Sequence, residues 1–319
     1  MLRLSVLGSG SSGNAAVVCL GDDTRILVDA GLSARQLCLR LETVGIEPDS
    51  LTGIVLTHEH GDHSCGLDVF LRKREIPVFA TRDTSLLVSE KLKSPVPWRI
   101  FEAGAAFEVG EAVVESFNVP HDAADPVGFV FRGSCSSVGV LSDVGHVTQV
   151  IIDRLHGVDT LFTEANYDEV MLQNDIKRPW ATKQRISNRH GHLSNDQTAD
   201  LISAVARQNL HRVVLGHLSS DCNSPEQALR VIRERLEREG FPHVDLECAC
   251  RKKPTPLKEA AAPAAVSGPN VEHHEVKYPT AEGTNENRVR EDQQPDRRRE
   301  NGPALTVPEP AFEQTEWAF

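Results

Sequence analysis

Residues Thr57-His58-Glu59-His60-Gly61-Asp62-His63 place three histidines and one aspartate within six positions, directly after the apolar run LTGIVL at 51–56. His58 and His60 are two positions apart, so their imidazoles point the same way from the end of an extended strand. Asp62 and His63 follow where the chain turns toward a helix, and they can face a second point nearby. A solvated polar loop is the alternative, but such a cluster has no packing use at a strand end. Because imidazoles and carboxylates hold borderline divalent ions, the segment predicts a metal site.

Further ligands are expected, because a cluster this short cannot surround two metal ions. His121 follows the apolar run AVVESFNVP, Asp143 follows SSVGVLS, and His217 follows HRVVLG. Active-site groups of layered α/β folds lie at such strand ends. Each residue alone could be structural, as an edge histidine or a helix-capping aspartate. Beside the histidine cluster, all three are interpreted as metal ligands.

The order of apolar runs predicts the fold class. Short β-branched runs separated by glycine and aspartate near the N-terminus predict consecutive strands, and a strand meander is expected again at 106–145. Helices are expected at about 33–43, 62–74, 147–157, 195–208 and 225–239. Runs of strands with interspersed helices indicate an α/β fold in which two sheets pack face to face with helices outside.

The turn Gly8–Gly13, GSGSSG, fits the G-x-G-x-x-G pattern of a dinucleotide-binding loop. That loop requires a crossover helix before the next strand, which takes about a dozen residues or more. Residues 14–24 contain the apolar run VVCL and a Gly-Asp-Asp turn, and only a hairpin fits there. We therefore expect no nucleotide site at this turn.

The pattern His58-x-His60-x-Asp62-His63, followed by the three later strand ends, resembles the metallo-β-lactamase superfamily. The resemblance implies a four-layer αββα sandwich over residues 1–252. It also implies two ligand groups bridged by Asp143: His58, His60 and His121 for one ion, and Asp62, His63 and His217 for the other. Asp29, in ILVDAG, matches the first motif of the family and would support the site from outside the ligand set.

A pair of ions sharing a water makes hydroxide available near neutral pH, and hydroxide can attack a carbonyl carbon or a phosphorus. Zinc, manganese and iron all suit such ligands. A basic loop at 177–189, with Trp180 interleaved, is typical of a groove that follows a phosphate backbone, although a solvated charged loop is the alternative. Within it, Lys183 and Arg185 are predicted to bind substrate. So are Ser194 and Asn195, where a helix begins.

The segments EANYDEVML, KQRISNRHGHLSN and GHLSSDCNSPEQA, with the opening GSGSSGN, resemble the YycJ/WalJ-like branch, which implies nuclease activity on DNA. Glu164 and His192 match the proton relay of the related ribonuclease Z branch, and with Asp62 they are the expected catalytic residues. Tyr167 stands where a histidine is expected in the Glu-x-Asn-x-Asp motif that begins at Glu164. A DNA exonuclease is the leading hypothesis. The alternatives are a hydrolase of small esters, thioesters or lactones, an RNA-processing nuclease, and a metal-binding adaptor without enzymatic activity.

Composition limits the remaining functions. A formal net charge of −12 excludes a general nucleic-acid coat protein but allows a local basic groove. No apolar run approaches the length of a membrane span. The seven cysteines form no disulfide framework, which predicts reduced thiols and a cytoplasmic protein. Residues 253–319 hold nine of the 18 prolines and little periodic apolar pattern, so a disordered tail is expected. Its end, Trp317–Phe319, could bind a protein partner, and the oligomeric state is left open.

Overall fold

The computed structural model describes residues 1–261, and it contains two seven-stranded mixed sheets. The first sheet is antiparallel from β14 to β3 and parallel from β3 to β6. In spatial order its strands are β14 (Lys258–Glu259), β1 (Leu2–Gly8), β2 (Ala15–Leu20), β3 (Thr24–Val28), β4 (Gly53–Val55), β5 (Val78–Ala80) and β6 (Trp98–Ile100).

The second sheet reverses that arrangement, with parallel pairing from β13 to β10 and antiparallel pairing from β10 to β7. In spatial order its strands are β13 (Asp245–Cys248), β12 (Arg212–Gly216), β11 (Thr160–Glu164), β10 (Ser137–Leu141), β9 (Val127–Arg132), β8 (Ala112–Asn118) and β7 (Ala106–Val109). Because the carboxyl ends of parallel neighbours lie at one edge, residues that follow β10, β11 and β12 are brought together.

The helices connect these strands. They are α1 (Ala34–Thr43), α2 (Gly61–Ser64), α3 (Leu67–Leu71), α4 (Arg82–Ser89), α5 (Gln149–Leu155), α6 (Glu169–Asn174), α7 (Trp180–Ser187), α8 (Asn195–Val205) and α9 (Pro225–Arg238), with a 3₁₀ turn at Pro48–Ser50. Local chemistry explains their starts: Ser194 and Gln197 form a capping box at α8, and Ser224 caps α9 before a proline at its first position. No helix within residues 1–261 is both long and apolar enough to cross a bilayer.

Three apolar clusters lie between four layers and confirm the predicted αββα sandwich. Val6 and Val18 of the first sheet belong to the same buried cluster as Phe129 and Val140 of the second sheet. A second cluster joins the first sheet to α1 and α3, and a third joins the second sheet to α5, α8 and α9. Strands covered on both faces have almost no polar alternation, which is why they read as continuous apolar runs.

One predicted helix and one predicted loop differ from the structure. The helix expected at 62–74 is interrupted between α2 and α3, where the amide of Gly66 donates to the carbonyl of Ala30. A side chain at Gly66 would lie 2.1 Å from the carbonyl oxygen of Leu32, so the two segments pack without space between them. The segment 177–189, predicted to be a loop, contains the helix α7, which starts directly after Pro179.

The folded part extends beyond the predicted boundary at residue 252. Strand β14 pairs with β1, Thr255 exchanges hydrogen bonds with Ser5 and Val6, and the Ala260 amide donates to the Leu2 carbonyl. The prediction of disorder is therefore wrong for residues 253–261, because they cover the edge of β1. The remainder of the predicted tail, with its Trp317–Phe319 end, lies outside the described residues. The hairpin expected after the Gly8–Gly13 turn is confirmed by the antiparallel pairing of β2 with β3.

Candidate metal centre

Two candidate ligands and the supporting residue Asp29 stand at strand ends with an unusual backbone. Asp29 follows β3, Asp143 follows β10 and His217 follows β12, and their φ angles are 59°, 55° and 50°. Within the described part of the chain, they are the non-glycine residues with positive φ. Such conformations cost about 1–3 kcal/mol each and persist where the surrounding structure enforces them. The backbone is therefore strained at the positions that aim these side chains inward.

The first predicted ligand group is assembled. The rings of His58 and His60 have centroids 4.6 Å apart, and both rings lie within 5.2 Å of the His121 ring. One nitrogen from each of the three residues lies within 4.8 Å of the other two. His121 Nδ1 is 3.1 Å from the carbonyl oxygen of Gly191, and donation of its hydrogen there leaves Nε2 as the lone-pair nitrogen.

The second predicted group lies beside it, with Asp143 between the two. Asp62, His63 and His217 have ligand atoms within 4.8 Å of one another. Asp143 Oδ2 is 2.6 Å from His63 Nε2 and 3.8 Å from His58 Nε2, while Asp143 Oδ1 is 2.7 Å from His217 Nδ1. The structure thus brings all seven predicted ligands together and places Asp143 where a bridging residue would lie.

The donors present fit divalent cations. His58 Nε2 and His217 Nε2 are buried and have no hydrogen-bond partner among residues 1–261, a state that buried polar atoms rarely keep. Burial lowers the pKa of His121 to about 4 and moves the pKa of His58 well below its usual range. Both imidazoles are therefore neutral at neutral pH, which is the form that coordinates a metal.

The carboxylates give the other half of the centre a strongly negative potential. Burial alone would lower the pKa of His63, but Asp143, Asp29 and Asp62 outweigh it and raise that pKa well above its usual range. The pKa of His217 is raised in the same way, chiefly by Asp143 against the effect of burial. Such a concentration of buried negative charge requires cations nearby. The donor set therefore implies that divalent metal ions bind here.

Asp29, predicted to support the site from outside the ligand set, contacts the predicted ligand His63. Its Oδ2 lies 2.8 Å from His63 Nδ1, which directs Nε2 of the same ring toward Asp143. Its Oδ1 accepts the amide of Thr57 at 2.8 Å, and the Thr57 hydroxyl donates to both oxygens. A carboxylate that holds the far nitrogen of a histidine fixes the tautomer and orientation of a metal ligand.

The sequence interpretation missed the part that the GSGSSGN turn plays at the centre. Asn14 donates from its backbone amide to the Asp62 carbonyl at 2.7 Å and from Nδ2 to Asp62 Oδ2 at 3.2 Å. Ser9 Oγ accepts the His217 amide at 2.8 Å. Gly31 allows this approach, since a Cβ there would lie 1.6 Å from the Asp62 carbonyl oxygen. Asn14, the last residue of GSGSSGN, was the sequence signal that could have predicted this role, because that segment resembles the nuclease branch.

Glu164 and His192 form the expected pair at the edge of the centre. Glu164 Oε2 is 2.9 Å from His192 Nδ1, and Glu164 Oε1 accepts the amides of Val144 and Leu193. Burial would raise the pKa of Glu164, but His192 and His217 hold it below its usual value. The His192 side chain is 20% exposed while Glu164 is buried, so the imidazole is the member that faces solvent. Both residues also lie within ligand distance of Asp143.

Ser194 and Asn195 do not face the cleft, which corrects their predicted role in substrate binding. Both are fully buried. The Ser194 hydroxyl accepts the Gln197 amide as the cap of α8, and Asn195 exchanges two side-chain hydrogen bonds with Asn223. Residues at a helix start can cap the helix or bind a ligand. Here Ser194 caps α8, and the side chain of Asn195 is bonded to Asn223.

The basic segment 177–189 is largely paired with groups of the protein itself. Arg178 contacts Asp175 and Asp221, and Arg185 contacts Asp122 at 2.6 Å, next to the predicted ligand His121. Its other members also have protein partners: Lys177 with Asp221, Lys183 with the Gln173 carbonyl, and Arg189 with His146. Substrate binding by Lys183 and Arg185 therefore stays a prediction.

Comparison with known proteins is consistent with this site. The profile of a family described as "Beta-lactamase superfamily domain" matches residues 24–218. The chain is 35% identical to exodeoxyribonuclease YycJ of Bacillus anthracis over 75% of its own length and 91% of that protein. It is 34% identical to exodeoxyribonuclease WalJ of Streptococcus pneumoniae over 71% of its length and 85% of that protein.

A solved structure supports the same fold. The metallo-β-lactamase fold protein YhfI of Bacillus subtilis superposes with a TM-score of 0.59 at 14% identity, covering 80% of this chain and 99% of YhfI. The chain belongs to the metallo-β-lactamase superfamily and, by its identity with YycJ and WalJ, to the branch that contains those two proteins.

Proposed function

We propose that this protein is a metal-dependent phosphodiesterase that removes nucleotides from the ends of DNA. The observation that carries the proposal is the Glu164–His192 pair, 2.9 Å apart, at the rim of the metal centre. Hydrolysis of a phosphodiester releases an alkoxide of high proton affinity, and a positioned acid lowers that barrier. The names of YycJ and WalJ, both exodeoxyribonucleases, support the choice of DNA.

Two divalent ions, with zinc or manganese as the leading choices and iron a third, would supply a hydroxide nucleophile at neutral pH and neutralise phosphate charge. His58, His60 and His121 would hold one ion, and Asp62, His63 and His217 the other, with Asp143 between them. Asp62, whose side chain is 25% exposed, is the member of the second group that lies nearest to solvent. It therefore lies within reach of a bound substrate.

The protein's own residues deliver the proton. The Glu164 carboxylate accepts from His192 Nδ1, which places the other nitrogen, Nε2, on the opposite side of the ring. The Glu164 carboxylate holds the ring in this orientation, and Nε2–H of the doubly protonated imidazole can then protonate the leaving oxygen. His192 lies close to the ligands, with ring centroids 5.5 Å from His121 and 4.9 Å from His217.

Purified protein loaded with zinc or manganese tests the proposal. Its substrates are single- and double-stranded DNA labelled at the 5′ or the 3′ end, matched RNA, and a panel of thioesters and lactones. Release of mononucleotides from DNA, lost on chelation and restored by metal, is the expected result. Turnover of an ester or of RNA without turnover of DNA would overturn the proposal. A cytoplasmic location and a protein partner remain predictions that this assay does not address.

A further inference from the structure

The Gly8–Gly13 turn lies against the metal centre at both of its ends. Ser9 accepts the amide of His217, and Asn14, directly after the turn, donates to Asp62. Both of these residues are buried, whereas Ser11 and Ser12 at the tip are exposed. The tip therefore presents two hydroxyl groups to solvent beside the Asp62–His217 half of the centre.

Arg251 packs on this turn. Its Nη2 donates to the carbonyl of Leu218 at 3.0 Å, and Leu218 directly follows the predicted ligand His217. A Cβ at Gly10 would lie 2.6 Å from Arg251 Nε, and the φ of Gly10 is 139°. Only glycine allows this approach, because an L side chain would be strained there and would collide with the arginine. The guanidinium thus lies between the turn and the loop that carries His217.

The charge of Arg251 is not neutralised within the part of the chain that the structure describes. Its one hydrogen bond there is to a carbonyl, and it has no ion pair. Arg178, by comparison, contacts two carboxylates. Arg251 is partly exposed, and the exposed Lys252 and Lys253 follow it directly. A guanidinium with unused donors is well suited to bidentate binding of phosphate oxygens.

We propose that Arg251, with the hydroxyl groups of Ser11 and Ser12, forms a phosphate subsite for a non-scissile phosphate of the substrate. The inference rests on the proposed function, because the metal centre would hold the scissile phosphate. The ligand chemistry is a phosphate monoester or diester: either the terminal phosphate of a DNA strand or the backbone phosphate next to the cleaved bond. The subsite lies on the Asp62–His217 side of the centre, because Arg251 contacts Leu218, which follows His217, and packs against Gly10.

Arg251→Gln separates this subsite from the metal centre. Kinetics are measured on single-stranded DNA carrying either a 5′-phosphate or a 5′-hydroxyl, and on bis(p-nitrophenyl) phosphate, which has one phosphate only. The KM for DNA is expected to rise about tenfold or more, and that rise should exceed the rise for bis(p-nitrophenyl) phosphate by about the same factor. The slope of log Kd against log salt should decrease by about 0.7 for single-stranded DNA. A rise in KM confined to the 5′-phosphorylated strand identifies a terminal phosphate as the ligand. An equal rise in KM on both strands identifies a backbone phosphate.

Arg238→Gln, an exposed position in the last turn of α9, is the matched control. A rise in KM for DNA no larger than in the control would overturn the subsite. So would equal losses on DNA and on bis(p-nitrophenyl) phosphate, because they would show that Arg251 only maintains the centre. If the glutamine variant unfolds at a lower temperature, Arg251→Lys replaces it: the salt slope should then be unchanged, and the KM for DNA should still rise more than in the control, because lysine lacks the bidentate fork. Failure of the wild-type protein to cleave DNA would instead overturn the proposed function, and it is seen before any variant is measured.

Discussion

The metal centre and the basic segment 177–189 were both predicted from dense local patterns, yet they differ in how the fold holds them. The centre is mostly buried, and three of its residues have strained backbone at strand ends. The basic segment is a helix flanked by loops at the surface, and its charges lie against carboxylates and carbonyls of the protein. Buried strands hold the side chains of the centre in a fixed geometry, whereas the charged side chains at the surface pair with neighbouring polar groups.

This contrast has an energetic consequence. Each group in the centre interacts with several others at low dielectric, so removal of one leaves its partners unsatisfied. An exposed ion pair is worth about 0–1 kcal/mol, because solvent and salt screen it. Substitutions in the centre should therefore act on turnover and metal binding, and substitutions in the basic segment should act weakly on substrate binding.

The largest effect is expected for Asp143→Asn. Asparagine tolerates the positive φ of this position, so the change removes the negative charge and leaves the backbone as it is. DNA cleavage should fall to the level of a sample without metal, because both ligand groups contact Asp143. Single-turnover assays and elemental analysis measure the loss. Asp23→Asn, at an exposed turn, is the control, and cleavage by the Asp143 variant at the parent's rate would contradict the metal assignment.

His192→Gln should lower kcat on DNA by about 10²–10⁴-fold, which is typical for loss of a general acid. Metal content should not change, since His192 is outside the two predicted ligand groups. A p-nitrophenyl ester has a leaving group that needs no proton, so its hydrolysis should fall much less. His190→Gln, two positions earlier and exposed, is the control. Equal losses on both substrates, or a loss of bound metal, would instead indicate that His192 is a ligand.

Asp29→Asn should weaken metal binding by about 10–100-fold, the range found when the carboxylate partner of a ligating histidine is removed. The change keeps a side chain that tolerates positive φ, and it removes the charge beside His63 Nδ1. Competition with a chelator measures the dissociation constant. An unchanged constant would mean that Asp29 only organises the Thr57 turn.

Arg185→Gln should have the smallest effect. Because Arg185 is half exposed and contacts Asp122, its loss should raise the KM for DNA by less than about tenfold and leave kcat unchanged. KM at several salt concentrations measures this effect, with Arg238→Gln as the control. A fall in kcat with loss of metal would show a different role, in which α7 holds the His121 loop in place through Asp122.

The sequence alone predicted much of the centre for identifiable reasons. His58, His60, Asp62 and His63 are contiguous, so their proximity needs no knowledge of the fold. His121, Asp143 and His217 were found because each ends an apolar strand, and ends of strands in one sheet meet at one edge. The rejection of a nucleotide site at Gly8–Gly13 followed from the short spacing to the next strand, since the residues after the turn have room only for a hairpin, which β2 and β3 form.

Other features were not predictable, because they depend on contacts between distant segments. Ser194 and Asn195 fit a binding role and a capping role equally well in sequence, and their burial decides for the cap. The helix α7 has no buried residue and so no periodic apolar signal. The folded boundary at 252 was set too early, because the two-residue strand β14 is held by contacts with distant segments, its pairing with β1 among them.

The amino-acid sequence by itself determined which chemical groups this protein can bring to a metal centre and that they stand at strand ends. Only the tertiary structure decided that both sheets aim those ends at one cleft and that Asn14 and Ser9 hold Asp62 and His217. It also decided that Arg251 lies beside them with no carboxylate partner among residues 1–261. The physical reason is the range of the interactions. Secondary-structure propensity and turn chemistry act over a few residues, whereas the meeting of these side chains depends on how two sheets pack over their common apolar core.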